Sequence, residues 1–261
     1  MTKKIRLAFA GDRDISVWVL RYLLSERDIK PVALLINDSD QSSHTDELLS
    51  LCSFLTPESI LNGSQFKSTE GIKFLSDLEL DYILSIHFPF IFPKKLLELP
   101  RVGVLNLHPA YLPYNKGWHT PSWSILEETP AGATLHFMNT EIDSGDIVHQ
   151  KKIDVQPSDT ANSLYRKLKK LEFEVFKEIW PQIEQGDCPR YGQANDRGTI
   201  HFREELLDPL LQKIDLEQVV KTKDLLKKLR ALTTNRIDEA AFFENNGRKY
   251  RIQVSITEES S

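Results

Sequence analysis

The sequence predicts an α/β fold: an open, mostly parallel sheet with helices on both faces, followed by a small C-terminal α+β appendage that ends in a β-hairpin. Three observations carry this reading. Short apolar runs alternate with helical patterns from Lys4 to Val155. Most of those runs are continuously apolar, as expected of strands covered on both faces. After Gly186 the texture turns polar and turn-rich, which sets off the appendage. With 40% hydrophobic and 27% charged residues, a chain of 261 residues can bury a full core.

The elements follow in order. "KIRLAFAG" (4–11) reads as a strand, "ISVWVLRYLLSE" (15–26) as a helix and "KPVALLIND" (30–38) as a strand. "GIKFLSDL" (71–78) is a helix, "DYILSIHF" (81–88) a strand, "KKLLELP" (94–100) a helix and "GVLNLHP" (103–109) a strand. "ATLHFM" (133–138) and "DIVHQKKIDV" (146–155) are further strands, the second alternating as a half-exposed strand does. A long amphipathic helix spans 158–186. Its start is capped by Ser158 or Asp159, and its apolar residues Leu164, Leu168, Leu171, Val175, Ile179 and Ile183 recur every third or fourth position. Pro181 bends or shortens its last turn. In the appendage, "TKDLLKKLRALT" (222–233) is a helix, and two strands flank an Asn246-Gly247 turn within 240–256. The tail "TEESS" is expected to fray. The predicted domains are the α/β domain over 1–186 and the appendage over 187–261.

A net charge of −5 and a pI near 5.9 disfavour a long polyanion such as tRNA or DNA, while leaving room for a small phosphorylated ligand. Cys52 and Cys188 have no zinc-site spacing and are too few to staple a chain of this size, so they read as reduced thiols. The N-terminal apolar run is too short for a secretory signal, and no run has the length of a membrane span. A cytoplasmic protein is the expectation.

Ligands of open α/β sheets sit beyond the carboxyl ends of the strands. "GVLNLHP" ends there with Asn106 and His108, two residues apart, so a period of two points both side chains the same way. Pro109 and Pro113 stiffen the loop that follows. Asp143, in the turn-forming "EIDSGDI", is placed to approach His108 from a neighbouring strand end and set its tautomer. An amide, one imidazole and one carboxylate make no metal site. No G-x-S-x-G elbow or suitably spaced cysteine offers a nucleophile. What remains is an oxyanion donor beside a His/Asp proton-transfer pair, which suits direct acyl transfer. The plainer readings are a satisfied strand-end histidine, an ordinary "DSG" turn, and core tryptophans at Trp118 and Trp123. His87, His136 and His149 read as rim or strand residues, and "GDRDIS" as a helix cap. A lone Gly11 after the first strand disfavours a nicotinamide or flavin.

"NLHPAYLP" followed by "GATLHFMNTEIDSGDIV" resembles the catalytic signature of the folate-dependent formyltransferases, and the likeness extends over most of residues 1–185. The resemblance implies a triad of Asn106, His108 and Asp143, with N10-formyltetrahydrofolate as formyl donor and no metal. It implies pterin binding by backbone around "HFPFI", "AYLP" and "DSGD", with Phe88, Ile91, Leu112 and Asp146 as candidates. "YNKGWHTPSW" and "GDRDIS" look most like the nucleotide-sugar N-formyltransferases, whose acceptor is an amino sugar such as a dTDP-4-amino-4,6-dideoxyhexose of surface polysaccharide (O-antigen) synthesis. That gives Arg13 and Lys116 roles as diphosphate partners, and Trp118 and His119 roles in shaping the pocket. The resemblance also implies a homodimer, with Phe242, Phe243 and Ile252 around the hairpin packing between subunits. Two alternatives stay open: a methionyl-tRNA formyltransferase, and a non-catalytic nucleotide- or folate-binding module.

Overall fold

A computed structural model describes residues 5–38, 40, 42–194 and 197–259. Its elements are β1 (Leu7–Gly11), α1 (Arg13–Glu26), β2 (Ala33–Ile36), α2 (Thr45–Leu51), β3 (Ile60–Asn62), α3 (Thr69–Asp77), β4 (Tyr82–Ile86), α4 (Lys94–Leu97) and β5 (Gly103–His108). There follow β6 (Lys116–Gly117), α5 (Thr120–Leu126), β7 (Ala131–Phe137), β8 (Ile147–Ile153), α6 (Ala161–Glu184) and β9 (Ile200–His201). The chain ends with α7 (Pro209–Gln212), α8 (Thr222–Ala231), β10 (Ala241–Asn245) and β11 (Arg248–Ile252). The predicted first strand starts at Lys4, which lies outside the described residues, as do Asn195 and Asp196 of the polar stretch and the last two serines of the tail.

Seven strands form one sheet in the order β3-β2-β1-β4-β5-β7-β8. From β3 to β5 every pairing is parallel, and β7 runs antiparallel to β5. The chain moves outward from β1 to β3, then restarts on the other side of β1 with β4 and β5. That reversal is the topological switch of a Rossmann-like, doubly wound sheet, and it opens the carboxyl ends of the strands to a ligand. β1, β2 and β4 are buried at every position, which is why their sequences are apolar but for Ser85 in β4.

Two compact units divide the chain. The first comprises Met1–His108, Thr134–His149 and Glu172–Gln193; the second comprises Pro109–Ala133, Gln150–Leu171 and Ala194–Ser261. One core cluster of the first unit gathers Ala8, Ala10, Leu35, Ile83 and Val104 from the strands with Phe66, Leu75, Phe88, Phe92 and Leu96. Burying each large side chain of this kind contributes about 1.5–3 kcal/mol. In the second unit, Leu206, Leu232 and Ala241 pack with Trp123, Leu211, Ile214 and Leu229. Asn246 and Gly247 both have positive φ (49° and 72°), as a tight two-residue hairpin turn requires.

All six apolar positions predicted for the long helix are buried. The helix begins at Ala161. Thr160 Oγ1 accepts from Ser163 N, while Asp159 accepts from the Ser163 hydroxyl, so the cap falls at Thr160 rather than at Ser158 or Asp159. Pro181 sits inside α6, which continues to Glu184. Six of these elements have no counterpart in the sequence reading: α2, the three-residue edge strand β3, α5 within the proline-rich loop, the two-residue strands β6 and β9, and the short α7. Cys52 and Cys188 are free thiols, pushed by burial up to about 12 and about 11. Among the described residues, no helix is long and apolar enough to cross a membrane.

Candidate active site

β5 presents Asn106 and His108 at its carboxyl end, two positions apart on one face. Asp143 reaches both from the turn after β7. Its Oδ1 accepts from Asn106 Nδ2 at 3.4 Å, and its Oδ2 lies 3.5 Å from His108 Nε2. The three predicted residues therefore meet within the first unit, around one carboxylate. His108 is buried and Asp143 is nearly so, which weakens solvent screening of their interaction. Asp143 occupies the left-handed region (φ 46°), a conformation that Asp tolerates better than most residues. The turn lies tight against the end of β7. A Cβ built on Gly145 overlaps the Phe137 carbonyl oxygen, and Phe137 N donates to Asp146 O at 2.8 Å.

His136 completes the cluster, and the sequence reading left it as strand decoration. It sits directly across from Asn106 in the β5–β7 ladder. Its Nδ1–H donates to the Phe137 carbonyl at 2.8 Å, so in the neutral ring Nε2 carries the lone pair. Asn106 Nδ2 donates to that lone pair at 3.1 Å, and its second hydrogen faces Asp143. Two acceptors on one side fix which end of the amide is nitrogen. Only the strand register, which pairs 106 with 136, reveals this contact. The bond from Asn106 to Asp143 is the longer of the two, so it is the one an incoming oxygen displaces most easily. Among the described residues, no cluster of three His, Cys, Asp or Glu side chains is arranged to hold a metal ion.

The other predicted residues of the first unit are placed as follows. Phe88 is buried among Phe66, Phe90 and Phe92, so its side chain is withdrawn into the core. Ile91 is 77% exposed on the same loop. His87, at the head of that loop, has φ 52° and hydrogen-bonds through Nε2 to the fully buried Glu172 at 2.7 Å; the sequence reading missed that tie. Asp146 lies 3.8 Å from Arg190 Nη1. Arg13 is partly exposed, with Nη1 donating to Ser43 Oγ at 3.3 Å. Its neighbour Asp12 is the cap of α1: the buried carboxylate accepts from Arg13 N, Ser43 N and Asn37 Nδ2.

The remaining candidates lie in the second unit. Leu112 is buried, with its carbonyl accepting from Gln150 Nε2 at 3.0 Å. Lys116 is buried too, and Lys116 N donates to Thr199 O. Trp118 is 43% exposed, with the Arg203 guanidinium 5.4 Å over its ring, within cation–π range. His119 begins α5 with φ 56°. Burial lowers its pKa, against the pull of Glu239 at 4.0 Å, and its Nε2 is buried with no hydrogen-bond partner among the described residues. Behind this loop Trp123 stacks on His201 at 3.9 Å, and the His201 ring bonds Glu205 at 3.0 Å and Thr199 at 2.9 Å. The bond to His201 holds the Glu205 carboxyl below its usual range. Arg203 and His201 come from the polar stretch, where no pattern in the sequence marked them.

Similarity to known proteins agrees with this geometry. The dTDP-4-amino-4,6-dideoxyglucose formyltransferase of Mycobacterium tuberculosis is 29% identical over 69% of this chain and 74% of its own length. A sugar N-formyltransferase from Shewanella sp. superposes with a TM-score of 0.81 at 22% identity, over 99% of this chain and 100% of that one. A 4-N formyltransferase from Francisella tularensis superposes with a TM-score of 0.81 at 23% identity, over 98% and 99% of the two chains. At such low identity these two likenesses establish the fold. Residues 209–258 match an N-formyltransferase dimerization C-terminal domain. Residues 23–179, well over half of the chain and inclusive of the carboxylate with all three of its nitrogen neighbours, match the formyl transferase family, to which the protein therefore belongs.

Proposed function

We propose that the protein transfers a formyl group from N10-formyltetrahydrofolate to the amine of a nucleotide-linked amino sugar, a dTDP-4-amino-4,6-dideoxyhexose destined for surface polysaccharide such as O-antigen. It acts in the cytoplasm and as a homodimer. One observation carries the reading: the Asp143 carboxylate lies 3.4 Å from the Asn106 amide and 3.5 Å from the His108 imidazole at the carboxyl edge of the sheet.

The folate supplies a formyl carbon already activated as an amide at N10. Asn106 Nδ2 and the His108 ring stabilise negative charge growing on the formyl oxygen, and removing one such donor typically slows turnover about 100- to 1000-fold. Asp143 stabilises the charged form of His108 and takes the proton that the attacking amine releases. That proton returns to N10 as the bond from N10 to the formyl carbon breaks and the new C–N bond to the sugar persists. His136 keeps the Asn106 amide turned toward the reacting oxygen. Ile91, which is exposed, Asp146, which is half-exposed, and the backbone near Phe88 and Leu112 are the candidates for the pterin. Arg13, Lys116, Trp118 and His119 are the candidates for the nucleotide sugar, and Arg203, over Trp118, joins them.

The catalytic domain is assigned to 1–186 and the dimerising appendage to 187–261, a division supported by the spans of the two family matches. Phe242 is buried within the second unit, while Phe243 and Ile252 are partly exposed on the hairpin; exposed apolar groups of the same unit that can join them against a second copy include Leu210, Leu216, Val219 and Ile237, of which Val219 is 97% exposed. Placing Asp at both Leu216 and Val219 is expected to convert the dimer to monomer in analytical ultracentrifugation. A variant that stays dimeric overturns this interface.

The function is tested by incubating the protein with N10-formyltetrahydrofolate and a panel of nucleotide-linked amino sugars, with mass spectrometry of the products. Gain of one carbonyl on a dTDP-4-amino sugar, abolished by His108→Ala, is the expected result. Formylation of methionyl-tRNA with none on the panel contradicts it.

A further inference from the structure

After α6 the chain returns along the turn that carries Asp143, and within the first unit it is fastened there at three successive points. Arg190 lies 3.4 Å over the Phe137 ring and donates from Nη2 to Val102 O at 2.8 Å. Tyr191 exchanges backbone bonds with Ile147, at 2.8 and 2.9 Å. Gln193 then spends both hydrogens of its side-chain amide on the turn itself: Nε2 donates to Asp143 O at 2.9 Å and to Gly145 O at 2.7 Å.

That pair of bonds asks for a neutral group with two hydrogens on one nitrogen. A lysine in its place brings a positive charge beside the Asp143 carboxylate, and a glutamate sets oxygen against oxygen. Turning the amide over has the same fault, so the two carbonyls fix its orientation. Gln193 Oε1 is left buried, with no hydrogen-bond partner among the described residues. An orphaned acceptor is unfavourable, and an apolar residue of the same shape avoids it. The arrangement occurs where the turn holds Asp143 at φ 46°, a strained backbone conformation that such bonds support.

We propose that Gln193 is a positioning residue for Asp143: it clamps the carbonyls on either side of Ser144 so that the turn keeps the carboxylate within reach of Asn106 and His108. The proposal rests on the reading of Asp143 given above. It acts through that residue, since both side-chain bonds of Gln193 go to the carbonyls that flank Ser144. The sequence places Gln193 beyond Gly186, so part of the catalytic geometry is supplied by what reads as the appendage.

The test is a double-mutant cycle between Gln193→Leu and Asp143→Ala, with N10-formyltetrahydrofolate and dTDP-4-amino-4,6-dideoxyglucose as substrates, together with a crystal structure of Gln193→Leu. Gln193→Leu alone is expected to lower kcat about 10- to 100-fold with both KM values within about twofold, and to cause no further loss once Asp143 is alanine. In the crystal, the carboxylate is expected to leave the reach of Asn106 and His108. Unchanged kcat, an equal loss in both backgrounds, or a carboxylate that stays in place overturns the proposal. Should Gln193→Leu not fold, Gln193→Glu keeps the shape while removing the donors and takes its place in the cycle. If Asp143→Ala itself turns over normally, the catalytic reading of Asp143 fails, and the crystal structure still decides whether Gln193 positions it.

Discussion

Asn106 and His108 stand on β5, a strand bonded to β4 on one side and β7 on the other, and their side chains converge on a buried carboxylate. Trp118 and His119 stand on a loop whose nearest ladder, β6 with β9, is two residues long, and Trp118 is partly open to solvent. The first group has little freedom and few alternatives. The second is held by backbone bonds, Trp118 N to His201 O and Trp123 N to His119 O among them, with a ring stack behind it and a cation–π contact. Rigid placement suits groups that must meet a reacting atom, while a looser loop suits recognition of a ligand that must enter and leave. The contrast makes the two regions separable by experiment.

The largest expected effect belongs to the strand end. Asn106→Ala and His108→Ala should each lower kcat about 100- to 1000-fold while the melting temperature shifts by only a few degrees, as measured by steady-state kinetics and calorimetry. Gly145→Ala comes next. Its Cβ meets the Phe137 carbonyl, so the turn must move and carry Asp143 with it, and kcat should fall about 10- to 100-fold. Wild-type turnover in Gly145→Ala would show that the turn has slack, and the contrast between rigid and loose regions would blur.

On that loop, Trp118→Ala should raise the KM for the nucleotide sugar about 5- to 10-fold with kcat within about twofold, because it removes a stacking surface and the partner of Arg203. A fall in kcat with KM unchanged would move Trp118 into the chemistry. The smallest effect concerns His119. Burial lowers its folded pKa, so as pH falls through about 6.5 the unfolded chain takes up the proton first. Stability supplied by the neutral ring is therefore complete above that pH and is lost as pH falls toward the lower folded value. His119→Asn should flatten the dependence of melting temperature on pH in that window, and an unchanged slope would assign it to other groups.

The parallel strands were legible because burial on both faces leaves an unbroken apolar run, and the long helix because its apolar stripe repeats at helical spacing. Asn106 and His108 were legible for a similar reason: two positions on one strand share a face whatever the rest of the fold does. His136 was not, because its contact with Asn106 depends on how β7 registers against β5, a pairing across thirty residues. Gln193 and Arg203 escaped notice for the same physical cause. Each acts across tens of residues, from a polar segment without periodicity. β3 and α2 are too short to print a pattern, and α5 is disguised by the prolines and aromatics around it.

The most direct test of the claim that chemistry resides at the end of β5 is a single-turnover rapid-quench experiment. Enzyme loaded with N10-formyltetrahydrofolate is mixed with excess dTDP-4-amino-4,6-dideoxyglucose, for the wild type and for Asn106→Ala. The account predicts a chemical step about 100- to 1000-fold slower in the variant, with both substrates still bound. A formyl-transfer rate that is the same in the two proteins would contradict it.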